Sequence, residues 1–321
     1  MTRGRSAAAP AGPAFPIRLL ALDIDGTLVG QSLVLSDRTS AAIRAAVRRG
    51  VHVTIATGRM ATSAQTFADQ LGLTGPIIAY QGALIREMPA LAGMRAGRPR
   101  VGRLLFHRPL PPEVARDAIR WSEAHGLEPH VNHLERIVIP SSSPYVDDYS
   151  KFLGTRAETV PDLVAYVERP VTKVISVADA PVPMQLLPEA RRVFEGRAAP
   201  TVSHPRFLEF VAPGVSKGSA LARLARSMRI PLSQAMAIGD NMNDLEMIEA
   251  AGHGVAMPSA PPEVRVVARY LAPPLEVDGA ADIIEQLVLA DARHAEAAGR
   301  RLAAEAADAR ADTERFLAEP A

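Results

Sequence analysis

Residues 17–28 read Ile17-Arg18-Leu19-Leu20-Ala21-Leu22-Asp23-Ile24-Asp25-Gly26-Thr27-Leu28. From Ile17 to Asp23 the run is short and mostly apolar, the composition of a strand buried on both faces. It ends in a pair of carboxylates, Asp23 and Asp25, separated by one residue. Open parallel sheets hold their ligands at such strand ends. Crowded carboxylates repel, so a metal ion or a shared proton has to neutralise them. A hard ion such as Mg²⁺ suits oxygen ligands and phosphate-bearing substrates. Two other readings compete: a helix-capping Asp followed by a turn Asp before Gly26, and an EF-hand loop. The EF-hand needs further acidic positions and a Glu at its twelfth, and these are absent.

Outward from this stretch the chain alternates strand and helix. Ser36 is placed to cap a helix carrying Ile43, Ala46 and Val47, and Gly50 to stop it. Val51 to Ala56 reads as a second strand ending at Thr57-Gly58, a further helical stretch runs to Leu71-Gly72, and Pro76 to Tyr80 reads as a third strand. The rhythm resumes late in the chain. Ser216 can cap a helix with Leu221, Leu224, Ala225 and Met228, and Ala235 to Ile238 is a strand running into Gly239-Asp240. Another helix ends at Ala251-Gly252 and Gly254 to Met257 reads as a strand, with 266–271 and 283–289 completing the body. Such alternation implies βαβ units, a parallel sheet and an α/β fold with helices on both faces.

Between Glu87 and Arg206 the pattern changes. The stretch 93–102 is a Gly, Arg and Pro-rich loop; 136–139 and 171–177 read as strands, and 114–125 and 184–194 as helices. This predicts a second, α+β domain inserted into the first. The expected divisions are an arm over 1–16, a core over 17–86 and 207–290, an insert over 87–206 and a helical tail over 291–321. In the arm, Pro10, Gly12, Pro13 and Pro16 interrupt any signal-like apolar run, so it reads as disordered. The tail favours helix by propensity but has only a thin apolar stripe, which predicts a surface helix or frayed end.

The 321 residues include 36 Lys and Arg against 35 Asp and Glu, a balance that offers no basic footprint for nucleic acid or an anionic membrane. No apolar run approaches the ~18 residues of a membrane-crossing helix. With no cysteine, thiol catalysis, disulfides and Cys-ligated metals are excluded; the lack of disulfides is compatible with the cytoplasm, which is the expected location.

Three later stretches carry chemistry. Thr57 and Gly58, at a strand end before a helix, can offer a hydroxyl and a backbone N–H to phosphate oxygens. Lys217 opens a helix and is a candidate cation for phosphate and for the charge on Asp23. Gly239-Asp240-Asn241-Met242-Asn243-Asp244 follows a buried strand, so Asp240 is a further carboxylate for Mg²⁺; a polar turn and helix cap is the competing reading. In the insert, Arg136, Tyr145, Asp147 and Asp148 are candidates for reading a substrate, and His130 and His133 a metal pair that lacks nearby acidic ligands.

Leu22 to Leu28 resembles the first motif, Asp-x-Asp-Gly-Thr, of the haloacid dehalogenase-like phosphatase superfamily, and the three later stretches fit its order. Residues 207–218, 254–257 and 278–281 resemble its Cof-type subgroup, and the insert a class IIB cap. The resemblance covers roughly 17–289. It implies a Rossmann-like core, Mg²⁺ as cofactor and a small phosphorylated metabolite as substrate, with sugar phosphates favoured. Asp23 is then the nucleophile that forms an aspartyl-phosphate and Asp25 the general acid and base. The metal would sit on Asp23, the Asp25 carbonyl and Asp240; Ile24, Thr57, Gly58, Lys217 and Asn243 would contact phosphate; and Asp244 would support the metal shell or Lys217. A monomer or weak homodimer is expected. A phosphomutase using the same first step, and a silent ligand-binding protein, are the rival readings. Tyr80-Gln81-Gly82-Ala83 and Met257-Pro258-Ser259-Ala260 depart from the usual Asn-Gly-Ala and Gly-Asn-Ala runs, which affects substrate contacts inferred from relatives.

Overall fold

The computed structural model describes residues 15–88, 102–145 and 157–318, with side chains to 311. The arm before Phe15, nearly all of the 93–102 loop, and the candidates Asp147 and Asp148 lie outside the described residues. The chain forms two compact units. One holds the described residues up to Thr54 and from Leu221 onward; the other holds Ile55 to Ala220.

The first unit is built on a five-stranded sheet in the order Tyr270–Leu271, His253–Ala256, Ala235–Gly239, Leu19–Leu22, His52–Ile55. The first four strands pair in parallel. Every residue of Leu19–Leu22, Ala235–Gly239 and His253–Ala256 is buried, as the apolar runs require of strands covered on both faces. Leu22 pairs with Ile238, and the Asp23 N–H donates to the Ile238 carbonyl at 3.0 Å, so the two central strands end at the same level.

The helix Asp37–Arg48 begins where Ser36 predicts: its Oγ accepts the Thr39 N–H at 3.0 Å, and Asp37 adds a negative charge in the first turn. Ile43 and Ala46 face the core, and Gly50, at φ +80°, turns the chain toward the next strand. Ser36→Ala should lower unfolding free energy by about 1 kcal/mol while Ser36→Asp leaves it near wild type, read from urea denaturation. The stretch 262–271 divides into a helix, Pro262–Val267, and the edge strand Tyr270–Leu271. The tail is a helix, Ala292–Ala318. Its thin stripe is what it buries: Ala295, Leu302 and Ala306 are covered, and a Cβ at Gly299 would lie 3.3 Å from the Tyr270 hydroxyl. Among the described residues no helix is long and apolar enough to cross a membrane.

The second unit contains a three-stranded antiparallel sheet, Ile77–Ala79, Leu84–Arg86 and Leu104–His107. The reading of 76–80 as a parallel strand holds in part. Ile78 makes one parallel bridge, to Ala56; otherwise the strand pairs antiparallel with its successor. The cause is local. Tyr80, Gln81 and Gly82 take φ of +54°, +59° and +95°, which folds the chain back on itself. Its larger sheet has six strands in the order Ala199–His204, Phe207–Val211, Lys173–Val177, Glu128–His133, Arg136–Pro140, Glu158–Val160. All pairings are antiparallel except that of Arg136–Pro140 with Glu158–Val160.

Strand alternation gives this sheet two characters. On one face Val131, Val138, Val174 and Phe210 pack with Ile119, Leu187 and Phe194 of the helical segments in one apolar core. The other face carries, at alternate positions, His130, Asn132, Lys173, Ile175 and Glu209, all buried.

Candidate active site

In the first unit the site grows from two neighbouring strand ends. Asp23 follows Leu19–Leu22 and is 5% exposed; Asp240 follows Ala235–Gly239 and is half-buried. After Asp23 the chain turns tightly. The Ile24 carbonyl accepts the N–H groups of Leu28 and Val29 at 2.9 and 3.0 Å, and the Gly26 N–H donates to the Val29 carbonyl at 2.8 Å. This turn leaves Asp25 exposed and Ile24 buried. It also presents Gly26, at φ +85°, against Asp240: a Cβ there would lie 2.1 Å from Asp240 Oδ2. Thr27, fully buried, donates its hydroxyl to Asp240 Oδ1 at 3.2 Å. Gly26-Thr27 therefore has a physical task, seating the carboxylate of the neighbouring strand.

Asp244 closes the group from the turn Met242–Asp244. Its Oδ2 accepts the N–H groups of Asp240 and Asn241, both at 3.1 Å, while Asn241 Oδ1 accepts the Met242 N–H at 2.8 Å. Gly239 makes room for it; a Cβ there would lie 2.4 Å from Asp244 Cγ. Asp23, Asp240 and Asp244 each offer one carboxylate oxygen, and these atoms lie within 4.8 Å of one another. Three buried or half-buried carboxylates at this spacing form a set of hard oxygen donors that fits Mg²⁺. Asp244, expected in a supporting position, is a member of the cluster itself. Asn243 sits half-buried in the same turn.

In the second unit Thr57 is buried, with its N–H on the Ile78 carbonyl at 2.9 Å. Thr57 Oγ1 accepts the Arg59 N–H at 3.1 Å, which leaves its hydroxyl hydrogen available to donate elsewhere. Lys217 begins the helix Lys217–Ser227 and is fully buried. Ser216 caps this helix as expected: its Oγ accepts the Ser219 N–H at 3.0 Å, and the Ser216 N–H donates to Ser219 Oγ at 3.0 Å. A lysine so deeply covered is not a surface charge; burial on this scale requires partners.

The candidate substrate readers are engaged with neighbours. Arg136 pairs with Glu158, and the Tyr145 hydroxyl accepts from Arg206 at 3.1 Å. His130 Nε2 meets Glu128 Oε1 at 2.8 Å, and Ser143 donates to the same carboxylate. His133, three residues on, falls on the opposite side of the strand from His130, so the two do not address one ion. Burial pushes the Glu128 carboxyl up, but the His130 and Ser143 hydrogen bonds more than offset it and hold it below its ordinary value. Sequence reasoning missed Lys173 and Glu209, a buried ion pair at 2.7 Å whose Lys173 Nζ reaches the Gly58 carbonyl at 2.9 Å. The one available signal was Gln81, noted as a departure; its Nε2 donates to Glu209 Oε2 at 3.2 Å.

A family model described as haloacid dehalogenase-like hydrolase matches residues 20–284. The chain is 27% identical to the 5-amino-6-(5-phospho-D-ribitylamino)uracil phosphatase YitU of Bacillus subtilis, over 84% of this chain and 96% of that protein. It is 30% identical to the HMP-PP phosphatase of Serratia proteamaculans, over 82% of this chain and 90% of that one. Among solved structures, a haloacid dehalogenase-like hydrolase from Bacteroides thetaiotaomicron superposes with a TM-score of 0.69 at 27% identity, covering 84% of this chain and 99% of that one.

Proposed function

Because the chain belongs to the haloacid dehalogenase-like hydrolase family, we propose that it is a Mg²⁺-dependent phosphatase of small phosphorylated metabolites, working through an aspartyl-phosphate on Asp23. The observation that carries this reading is the convergence of Asp23, Asp240 and Asp244 at adjacent strand ends. Relatives named as phosphatases, matched over most of their length, support the reaction class.

Asp23, Asp240 and Asp244 are the side chains that would hold Mg²⁺, with the Asp25 carbonyl beside them. When bound, the ion supplies charge neutralisation among the carboxylates and toward the phosphate. The chain's own residues do the rest. The Asp23 carboxylate attacks phosphorus, a P–O bond to the aspartate forms and the P–O bond to the leaving group breaks. Asp25, exposed beside the turn, protonates the leaving oxygen. It then takes the proton of the water that attacks the aspartyl-phosphate, which releases inorganic phosphate and restores Asp23. Asn243, Ile24, Thr57, Gly58 and Lys217 are assigned to phosphate by the motifs they occupy. The insert over 87–206 is assigned the selection of the leaving group, and sugar phosphates are the favoured class.

The test is phosphate release from p-nitrophenyl phosphate and a panel of sugar phosphates and other metabolite monoesters, with Mg²⁺ and with EDTA. Mg²⁺-dependent release of free phosphate is expected, with EDTA reducing it to background. Isomerised sugar phosphate without free phosphate would favour a mutase, and tight binding without turnover a silent protein.

A further inference from the structure

Lys173 and Glu209 form an ion pair whose side chains are 3% and 2% exposed, inside a sheet where charge is costly. Nothing in the carboxylate cluster uses them. Their other partners show where they act. Lys173 Nζ donates to the Gly58 carbonyl at 2.9 Å and lies 5.5 Å from the centre of the Tyr80 ring. Glu209 Oε2 accepts from Lys173 at 2.7 Å and from Gln81 Nε2 at 3.2 Å, and Ser203 donates to its other oxygen. The Gln81 N–H donates to the Thr57 carbonyl at 3.1 Å. Both carbonyls of Thr57-Gly58 are therefore held by the same buried network. Gly58 fits closely against it; a Cβ there would lie 2.3 Å from Gln81 Nε2.

This arrangement has a directional consequence. Fixing the carbonyls of consecutive peptides fixes the planes of those peptides, and with them the direction of the N–H groups on the other side. The Thr57 hydroxyl is oriented in turn by the Arg59 N–H at 3.1 Å. The donors that the phosphatase reading assigns to phosphate are thus aimed from the six-stranded sheet.

We propose that Lys173, Glu209 and Gln81 are positioning residues: a buried clamp that sets the phosphate affinity of Thr57-Gly58 without touching phosphate. The proposal rests on the phosphatase reading, and it puts the departure at Gln81 to use, since only a side chain of this reach joins the Thr57 main chain to Glu209.

Removing one charge strands the other, so Lys173→Met alone should lose stability and does not separate positioning from folding. The informative variant is Lys173→Met with Glu209→Gln, which removes both charges while the glutamine oxygen can still accept from Gln81 and its NH2 can donate to the Ser203 hydroxyl. Three quantities are measured: thermal stability, the Mg²⁺ dependence of p-nitrophenyl phosphate hydrolysis, and the inhibition constant of inorganic phosphate. Stability and Mg²⁺ dependence should stay near wild type while the phosphate constant rises roughly tenfold to a hundredfold. A double variant that recovers stability and also keeps the wild-type phosphate constant overturns the clamp, as does one in which Mg²⁺ dependence degrades in step with phosphate affinity. If the double variant does not fold, Gln81→Ala carries the test: a several-fold weaker phosphate constant supports the clamp and an unchanged one overturns it. A wild-type protein that neither hydrolyses the ester nor binds phosphate overturns the phosphatase reading, and the clamp falls with it.

Discussion

Asp23→Asn should abolish phosphate release, lowering it roughly 10⁴-fold or more, and leave the fold intact. An amide has nearly the size and shape of the carboxylate it replaces but is a very poor nucleophile toward phosphorus. The Asp23 N–H holds the Ile238 carbonyl at 3.0 Å, a main-chain bond that the substitution does not touch. Asp23 is also one of three carboxylates within 4.8 Å, so removing its charge relieves repulsion in the metal-free protein. Thermal stability without Mg²⁺ should therefore equal or exceed that of the wild type, while the stabilisation gained on adding Mg²⁺ shrinks. Parallel activity and melting measurements, each with and without the ion, check both halves.

The second large effect is expected from a residue with no side chain. Gly26→Ala places a methyl group at a φ of +85°, a conformation that costs an L-residue about 1–2 kcal/mol. The larger consequence is the close approach to Asp240, whose Oδ2 and Cγ would lie 2.1 and 2.6 Å from the new carbon. The Asp240 carboxylate must move, and the 3.2 Å hydrogen bond from Thr27 moves or breaks with it. A ligand oxygen displaced by about 1 Å costs on the order of a hundredfold in rate. The variant should lose roughly 1–2 kcal/mol in denaturant titration, need at least tenfold more Mg²⁺ for half-maximal activity, and fall about a hundredfold below wild type at fixed Mg²⁺.

Local chemistry explains which parts of this structure are readable from the chain. A strand buried on both faces needs an unbroken apolar run, so Leu19–Leu22 and Ala235–Gly239 declare themselves, and the charges that follow stand out as strand ends. Ser36, Gly50 and Ser216 act within a few residues of their own positions, and each helix boundary they imply is present. Pairing partners are not local. Nothing within Ile77–Ala79 distinguishes a parallel strand from one that turns back through Tyr80 and Gln81, because left-handed φ at a Tyr and a Gln is dictated by tertiary packing. The polar face of the six-stranded sheet was hidden for a related reason. A Lys or Glu at an alternate strand position ordinarily faces water. Lys173 and Glu209 are buried because each is the other's partner, 36 residues apart in sequence. A still longer separation, 213 residues, lies between Asp240 and Thr27, whose hydroxyl holds its carboxylate beside Gly26.

On this mechanism every phosphoryl group passes through Asp23. Turnover of a good substrate with Mg²⁺, stopped in acid within the first cycle and followed by peptide mass spectrometry, reads it most directly. An acid-trapped phosphoryl group is expected on the peptide containing Asp23, assigned by fragmentation to that carboxylate and absent from Asp23→Asn. Rapid phosphate release with no covalent phosphoryl group on the chain, or with the group on another residue, would contradict it.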